Sequence, residues 1–299
     1  MSKRMSFPGQ SSKHPSPPAR PVSAGIHLSG PNAQKTALTV LCGDPRHSPL
    51  KIAKVYEKIG AFGTLFSDER LVDILTLAGP LAGVFVDCPL TVPPCVSCQL
   101  PSCPGAVHCE DVAVAYMLAI SDKVRRRGAR RARPVNPQSQ RLWDVMQLTE
   151  VVEERLEPSY SANLAPLVTR AMTLQRRLKA LVPVIELHET QVPHALEALR
   201  QSLGLAPGIR QSYKRFEDGG EHRRSVLTAL QSKGWLDVAQ GAEAQVLQAQ
   251  AISSVETFHS FVAALVAAFH SAGMTTARPK EYVASEGWVH LPLTECSAE

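Results

Sequence analysis

The run Gly83–Asp87, G-V-F-V-D, constrains the fold most. Its apolar residues follow one another without polar alternation, which marks a short strand covered on both faces, as strands of a parallel sheet are. A parallel strand needs a crossover before it. F-S-D-E-R-L-V-D-I-L-T-L-A-G supplies one, with Ser67 as N-cap, acids in the first turn and Gly79 as stop signal. Upstream, residues 24–29 and 36–42 flank the turn-rich spacer S-G-P-N-A-Q and read as a hairpin. From Leu50, L-K-I-A-K-V-Y alternates apolar and basic side chains and suits a third strand.

Downstream the pattern becomes mainly helical. Helical periods fill much of 111–127 and 139–181, with breaks near Pro158 and Pro166. Residues 181–187, L-V-P-V-I-E-L, read as a fifth strand followed by a helix, and 221–233 and 253–272 are helical by period. The closing E-G-W-V-H-L-P-L reads as a short strand. We therefore expect an α/β chain: a tail over residues 1–21, too polar and Pro-rich to bury surface, then one domain over 22–299. Within that domain lie a Cys-rich loop at 88–110 and a helical insertion at about 111–181.

Five blocks, in order, carry a resemblance. They are G-I-H-L-S-G-x-x-x-x-K-T-A-L-T-V-L, G-V-F-V-D-C-P-L-T-V-P, V-I-E-L-H, F-H-S-F-V-A-A-L-V-A-A-F and E-G-W-V-H-L-P. Together they resemble the bacterial family called domain of unknown function 429, described as predicted nucleases of ribonuclease H fold. The resemblance runs from about residue 24 to 293 and implies a ribonuclease H-like mixed sheet with flanking helices. It also implies a cluster of four acids, on the first, fourth and fifth strands and on the last long helix. Phosphodiester cleavage by two metals uses such carboxylates to hold hard cations and activate water.

This chain departs from that pattern at half the positions. Asp87 and Glu186 match the fourth- and fifth-strand acids, but His27 and His259 stand where the family has Asp. Magnesium prefers oxygen ligands, whereas imidazoles favour softer ions. The resemblance thus leads to a His27, Asp87, Glu186 and His259 site holding a divalent manganese, zinc or magnesium ion. The activity it implies is metal-dependent phosphodiester hydrolysis. The alternative is a catalytically degenerate relative that binds nucleic acid or a protein.

The loop after Asp87 holds Cys95, Cys98, Cys103 and Cys109 in a C-x2-C-x4-C-x5-C pattern. Four closely spaced thiols among prolines have the ligand count of a structural zinc site; an iron–sulfur cluster uses the same ligands and is the lesser alternative. His108 is a possible substitute ligand, and Cys88 is expected to be buried on the face opposite Asp87. The odd total of seven cysteines, and an N-terminus without the apolar middle of a signal peptide, point to a reducing compartment, by default the cytoplasm.

The net charge of +5 is concentrated in the tail and in K-V-R-R-R-G-A-R-R-A-R, and the remainder is net negative. Arg125, Arg126, Arg127, Arg130, Arg131, Arg133 and Arg141 are candidate phosphate contacts for a nucleic acid, against the alternative of a solvated basic face. Neither a membrane span nor a Gly-rich phosphate loop, nucleophile elbow or two-histidine zinc-protease motif is present.

Overall fold

The structure is a computed structural model. It describes residues 21–30, 35–60, 67–126, 135–150, 160–161, 164–182, 184–280, 282–283 and 286–293, with backbone alone at 124–126 and 148–150. Five strands, β1 (Val22–His27), β2 (Ala37–Cys42), β3 (Lys51–Tyr56), β4 (Leu81–Val86) and β5 (Leu187–Glu189), form one mixed sheet in the order β3-β2-β1-β4-β5. β1 and β2 pair antiparallel, as do β2 and β3, while β4 runs parallel to β1 and β5 parallel to β4. The crossover before β4 is α1 (Ser67–Leu77). Between β4 and β5 come α2 (Pro94–Ser97), α3 (Val112–Arg126), α4 (Leu142–Glu150) and α5 (Ala165–Leu181). After β5 follow α6 (Val192–Arg200), α7 (Ile209–Ser212), α8 (Gly219–Ser232), α9 (Ala242–Ser253) and α10 (Val255–Ser271).

Strand alternation sorts the core into two layers. Ala24, Ile26, Leu38, Val40, Val84 and Val86 face α1 and α5. Phe85 and Leu41 face the other way, toward α6, α8 and α10. α10 is apolar around its whole circumference, buried from Thr257 to Phe269, as expected of a helix at the centre of a domain. It starts from a capping box between Ser254 and Thr257. Its close approach depends on Gly25. A Cβ there would lie 2.0 Å from the Ala264 nitrogen and 2.2 Å from the Ser260 oxygen, so β1 must present bare backbone to α10. The Thr39 and Ser260 hydroxyls, 2.8 Å apart, tie the same helix to β2.

Several expectations require correction. The described residues of 181–186 do not form a strand: α5 continues to Leu181, the Val182 N–H donates to the Leu178 carbonyl, and pairing with β4 starts at Leu187. The C-terminal block makes isolated bridges, Val289 with Glu189 and Pro292 with Thr275, rather than a continuous strand. Ser67 is the first described residue of α1, and its hydroxyl accepts from Arg170 of α5. The break expected near Pro166 is its place in the first turn of α5, where proline is tolerated; Pro158 and residues 1–20 of the tail lie outside the described residues. No single helix among the described residues is long and apolar enough to cross a membrane. α9 and α10 pass that test only as a pair bent by 109°.

Candidate metal centre

The C-terminal ends of β1 and β4 lie side by side, which brings His27 beside Asp87; α10 crosses both strands and delivers His259. Within this trio, one ligand atom from each residue lies within 4.8 Å of the others. Asp87 is held from two sides. Its Oδ1 accepts from the Val192 N–H at 2.9 Å, at the start of α6, where the helix dipole favours a carboxylate. Its Oδ2 takes a hydrogen bond from His259 Nδ1 and lies 3.9 Å from His27 Nδ1.

The protonation pattern follows from the partners. Burial opposes the Asp87 charge, but His259 and His27 outweigh it and hold Asp87 well below the usual carboxylate range. Burial also lowers His259, with Asp87 opposing, so the imidazole is neutral near pH 7. Burial pushes Tyr213 well above the usual phenol value, so its O–H stays intact. That hydroxyl lies 2.9 Å from His259 Nε2. The consistent assignment is Tyr213 O–H donating to Nε2 and Nδ1–H donating to Asp87, which leaves one negative charge on the pair. His27 Nδ1 is buried with no hydrogen-bond partner, and the His27 ring stands edge-on to His259 with centroids 5.0 Å apart. An unpaired buried nitrogen is costly unless something fills it.

The fourth expected member lies elsewhere. Glu186 sits just before β5, with its side chain 83% exposed and its carboxylate 3.8 Å from His188. The buried acid of β5 is Glu189, which the sequence reading passed over. It accepts from Arg141 through two parallel bonds of 2.8 and 2.7 Å and from the Leu90 N–H at 3.0 Å. Arg141 is therefore no surface phosphate contact: it is fully buried. Burial disfavours its charge, yet Glu189 and Asp144 hold it strongly protonated. Thr91 accepts from both Arg141 and the Gly287 N–H, and Glu286 accepts from the Leu142 N–H. The P-L-T and E-G-W blocks are thus joined through one buried ion pair. Arg127, Arg130, Arg131 and Arg133 lie outside the described residues, as do the side chains of Arg125 and Arg126 at the end of α3.

In the cysteine loop, Cys95 sits half-buried on α2, Cys98 and Cys103 are exposed, and Cys109 ends a short 3-10 turn at Ala106–His108. Burial raises the Cys95 thiol, and the nearby Cys109, Cys103 and Cys98 raise it further. No three of these sulfurs come within 4.8 Å of one another. Cys88 is buried in the α1–α5 layer.

Two residues of the site region were not legible as such. Tyr213, on the turn after α7, orients His259; a lone Tyr in R-Q-S-Y-K carries no motif. His194 on α6 has both ring nitrogens buried without partners, against Trp143. A surface hollow bordered by Leu203, Leu205, His222 and Ser225 shares no residue with the Asp87 cluster. Comparisons found no protein-family model, no curated protein and no solved structure that matches the chain.

Proposed function

We propose that the chain is a metal-dependent phosphodiester hydrolase of ribonuclease H-like architecture, with His27, Asp87 and His259 holding one divalent ion. The carrying observation is the meeting of these three donors, with His27 Nδ1 buried and without a hydrogen-bond partner. The sheet order β3-β2-β1-β4-β5 supports the architecture, and the five sequence blocks support the reaction class. With Glu186 outside, a single carboxylate cannot balance two divalent ions, so the donor set fits one ion of the manganese or zinc kind better than a magnesium pair.

The ion supplies Lewis acidity and a water of lowered pKa. The chain's own part is positional. Val192 and the α6 terminus fix one Asp87 oxygen and leave the other facing both imidazoles. Tyr213 sets the plane of the His259 ring. Coordination through His259 Nδ1 would require the neutral ring to change tautomer, its proton passing to Nε2, which would then donate to the Tyr213 oxygen, with no net proton released. In the same reading, Cys95, Cys98, Cys103 and Cys109 close on a structural zinc, and the arginine run after α3 meets the nucleic-acid backbone.

The test is cleavage of single- and double-stranded DNA and RNA with Mn2+, Zn2+ or Mg2+, comparing wild type with Asp87→Asn. We expect Mn2+ or Zn2+ to support turnover and Asp87→Asn to lower it by about 10^3-fold or more, in line with loss of a catalytic metal ligand. Absence of cleavage with every ion, alongside normal binding of oligonucleotide, would move the assignment to a degenerate binding protein.

A further inference from the structure

A second cluster of imidazoles lies on the same side of the sheet, away from Asp87. His188 is on β5, opposite Phe85 of β4; His270 is in the last turn of α10; His290 follows the Glu189–Val289 bridge. One ring nitrogen from each lies within 4.8 Å of the others. The rings stand over Phe85, with centroids 5.1, 5.3 and 5.5 Å from it and 4.5 to 5.4 Å from each other. His270 is eleven residues beyond His259 on one helix, so their backbone positions are about 16 Å apart along its axis.

We infer that His188, His270 and His290 form a second metal site, for a single borderline divalent transition ion of the zinc class. Each ring is positioned by its surroundings. His290 has its N–H on the Glu189 carbonyl at 3.0 Å, and its own carbonyl accepts from the Thr190 hydroxyl at 2.9 Å. His270 uses Nδ1 with the Thr275 hydroxyl at 2.9 Å, which leaves Nε2 for a ligand and matches the usual support of a metal-bound histidine. His290 Nδ1 is buried without a partner. Burial lowers all three rings; the neighbouring imidazoles reinforce it at His270 and His290, the latter falling to about 3, while Glu186 opposes it at His188 and His270. They are thus neutral, the state in which imidazole coordinates a metal.

Packing alone accounts poorly for the arrangement. Three polar rings gathered on one phenylalanine, with a buried nitrogen unpaired, sacrifice hydrogen bonds that apolar side chains would not. A zinc-class ion uses nitrogen donors at about 2.0–2.1 Å and in three-ligand sites keeps a further position open. Glu186, 3.8 Å from His188 and largely exposed, stands at the solvent side of that cluster. The acid expected beside Asp87 thus belongs to this second site. The inference stands independently of the role given to Asp87.

The experiment is titration of the metal-free full-length chain with Co2+ alone, read by visible absorption and by equilibrium dialysis. It compares wild type, Asp87→Asn, His188→Asn, His290→Asn and His270→Gln. Thiolate binding is separated by its near-ultraviolet charge-transfer band. Wild type should bind one more thiolate-free ion than each histidine variant, and Asp87→Asn should keep the ion assigned here. Each histidine variant should weaken that ion by more than tenfold. Thermal melts of the metal-free variants control for folding, and Glu186→Gln, at an exposed position, gives a variant whose fold is not at risk and whose affinity should fall only a few-fold. Equal stoichiometry and affinity in wild type and all three histidine variants would overturn the site, as would loss of all thiolate-free Co2+ in Asp87→Asn.

Discussion

Two carboxylates at neighbouring strand ends, Glu189 buried and Asp87 largely so, have opposite surroundings. Glu189 is matched to a permanent cation: Arg141 grips both oxygens, and only Arg141 Nε is left without a partner. Asp87 is matched to two imidazoles, one of which keeps a buried nitrogen without a hydrogen-bond partner. The first arrangement is closed and needs nothing more. The second sets its negative charge beside imidazoles and leaves room for a cation. Burial of acid therefore does not distinguish a structural pair from a site, whereas the identity and satisfaction of its partners does.

The comparison breaks first at stability. Arg141→Met strands Glu189 in a region that is almost completely buried, and removing one partner of such a pair costs about 3–5 kcal/mol. Asp87→Asn should cost less than about 1 kcal/mol near pH 7. The amide oxygen still accepts from Val192, the amide nitrogen donates to His259 Nδ1 once that ring takes its Nε2–H tautomer, and a buried charge is removed. Urea unfolding of metal-free protein measures both. If the two variants lose equal stability, Asp87 is as structural as Glu189 and the distinction fails. A stable, inactive Asp87→Asn protein is the pattern of a residue kept for chemistry at some expense to the fold.

Gly25→Ala sharpens the same contrast from the backbone side. The added methyl would overlap the α10 main chain, so helix and strand must separate, at a cost of about 1–3 kcal/mol. Because α10 carries His259 while Asp87 stays on the sheet, metal affinity at that trio should fall beyond what stability alone requires. The Arg141–Glu189 pair, whose other side-chain hydrogen bonds go to Leu90 and Thr91, should stay formed. A Gly25→Ala protein with normal melting and normal Co2+ affinity would show that α10 has slack at this crossing.

How much of this was written in the sequence follows from the range of the forces involved. The hairpin, α1, β4 and α10 were legible because alternation, capping residues and apolar runs are local. His27, Asp87 and His259 were found together only through the blocks that carry the family resemblance, since no local pattern joins residues 27 and 259. Glu186 was misplaced because L-V-P-V-I-E-L has strand composition, although the helix before it persists to Leu181 and pairing begins at Leu187. Arg141 was misread for the complementary reason: an arginine beside a basic run looks solvent-facing until its distant partner, Glu189, is placed. The second histidine group joins β5, α10 and the C-terminal segment, a meeting that only the tertiary fold creates.

The smallest expected effect concerns His194, which borders both regions. Its nitrogens are buried and unpaired against Trp143, and burial lowers it below the ordinary imidazole value of 6.5, with Asp144, Asp87 and Glu197 opposing. Below about that value the unfolded chain binds a proton that the folded ring refuses, so this residue's contribution to stability is complete above pH 6.5 and declines as pH falls. His194→Phe keeps a ring against Trp143 and removes that proton. Urea midpoints of metal-free protein at pH 7.5 and 5.5 should lie closer together in His194→Phe than in wild type, with the gain confined to the acid side. An unchanged gap would mean that the ring takes up its proton in the folded protein. Asp87 and Asp144 would then outweigh burial there, and His194 would join the charged side of the Asp87 cluster rather than its neutral wall.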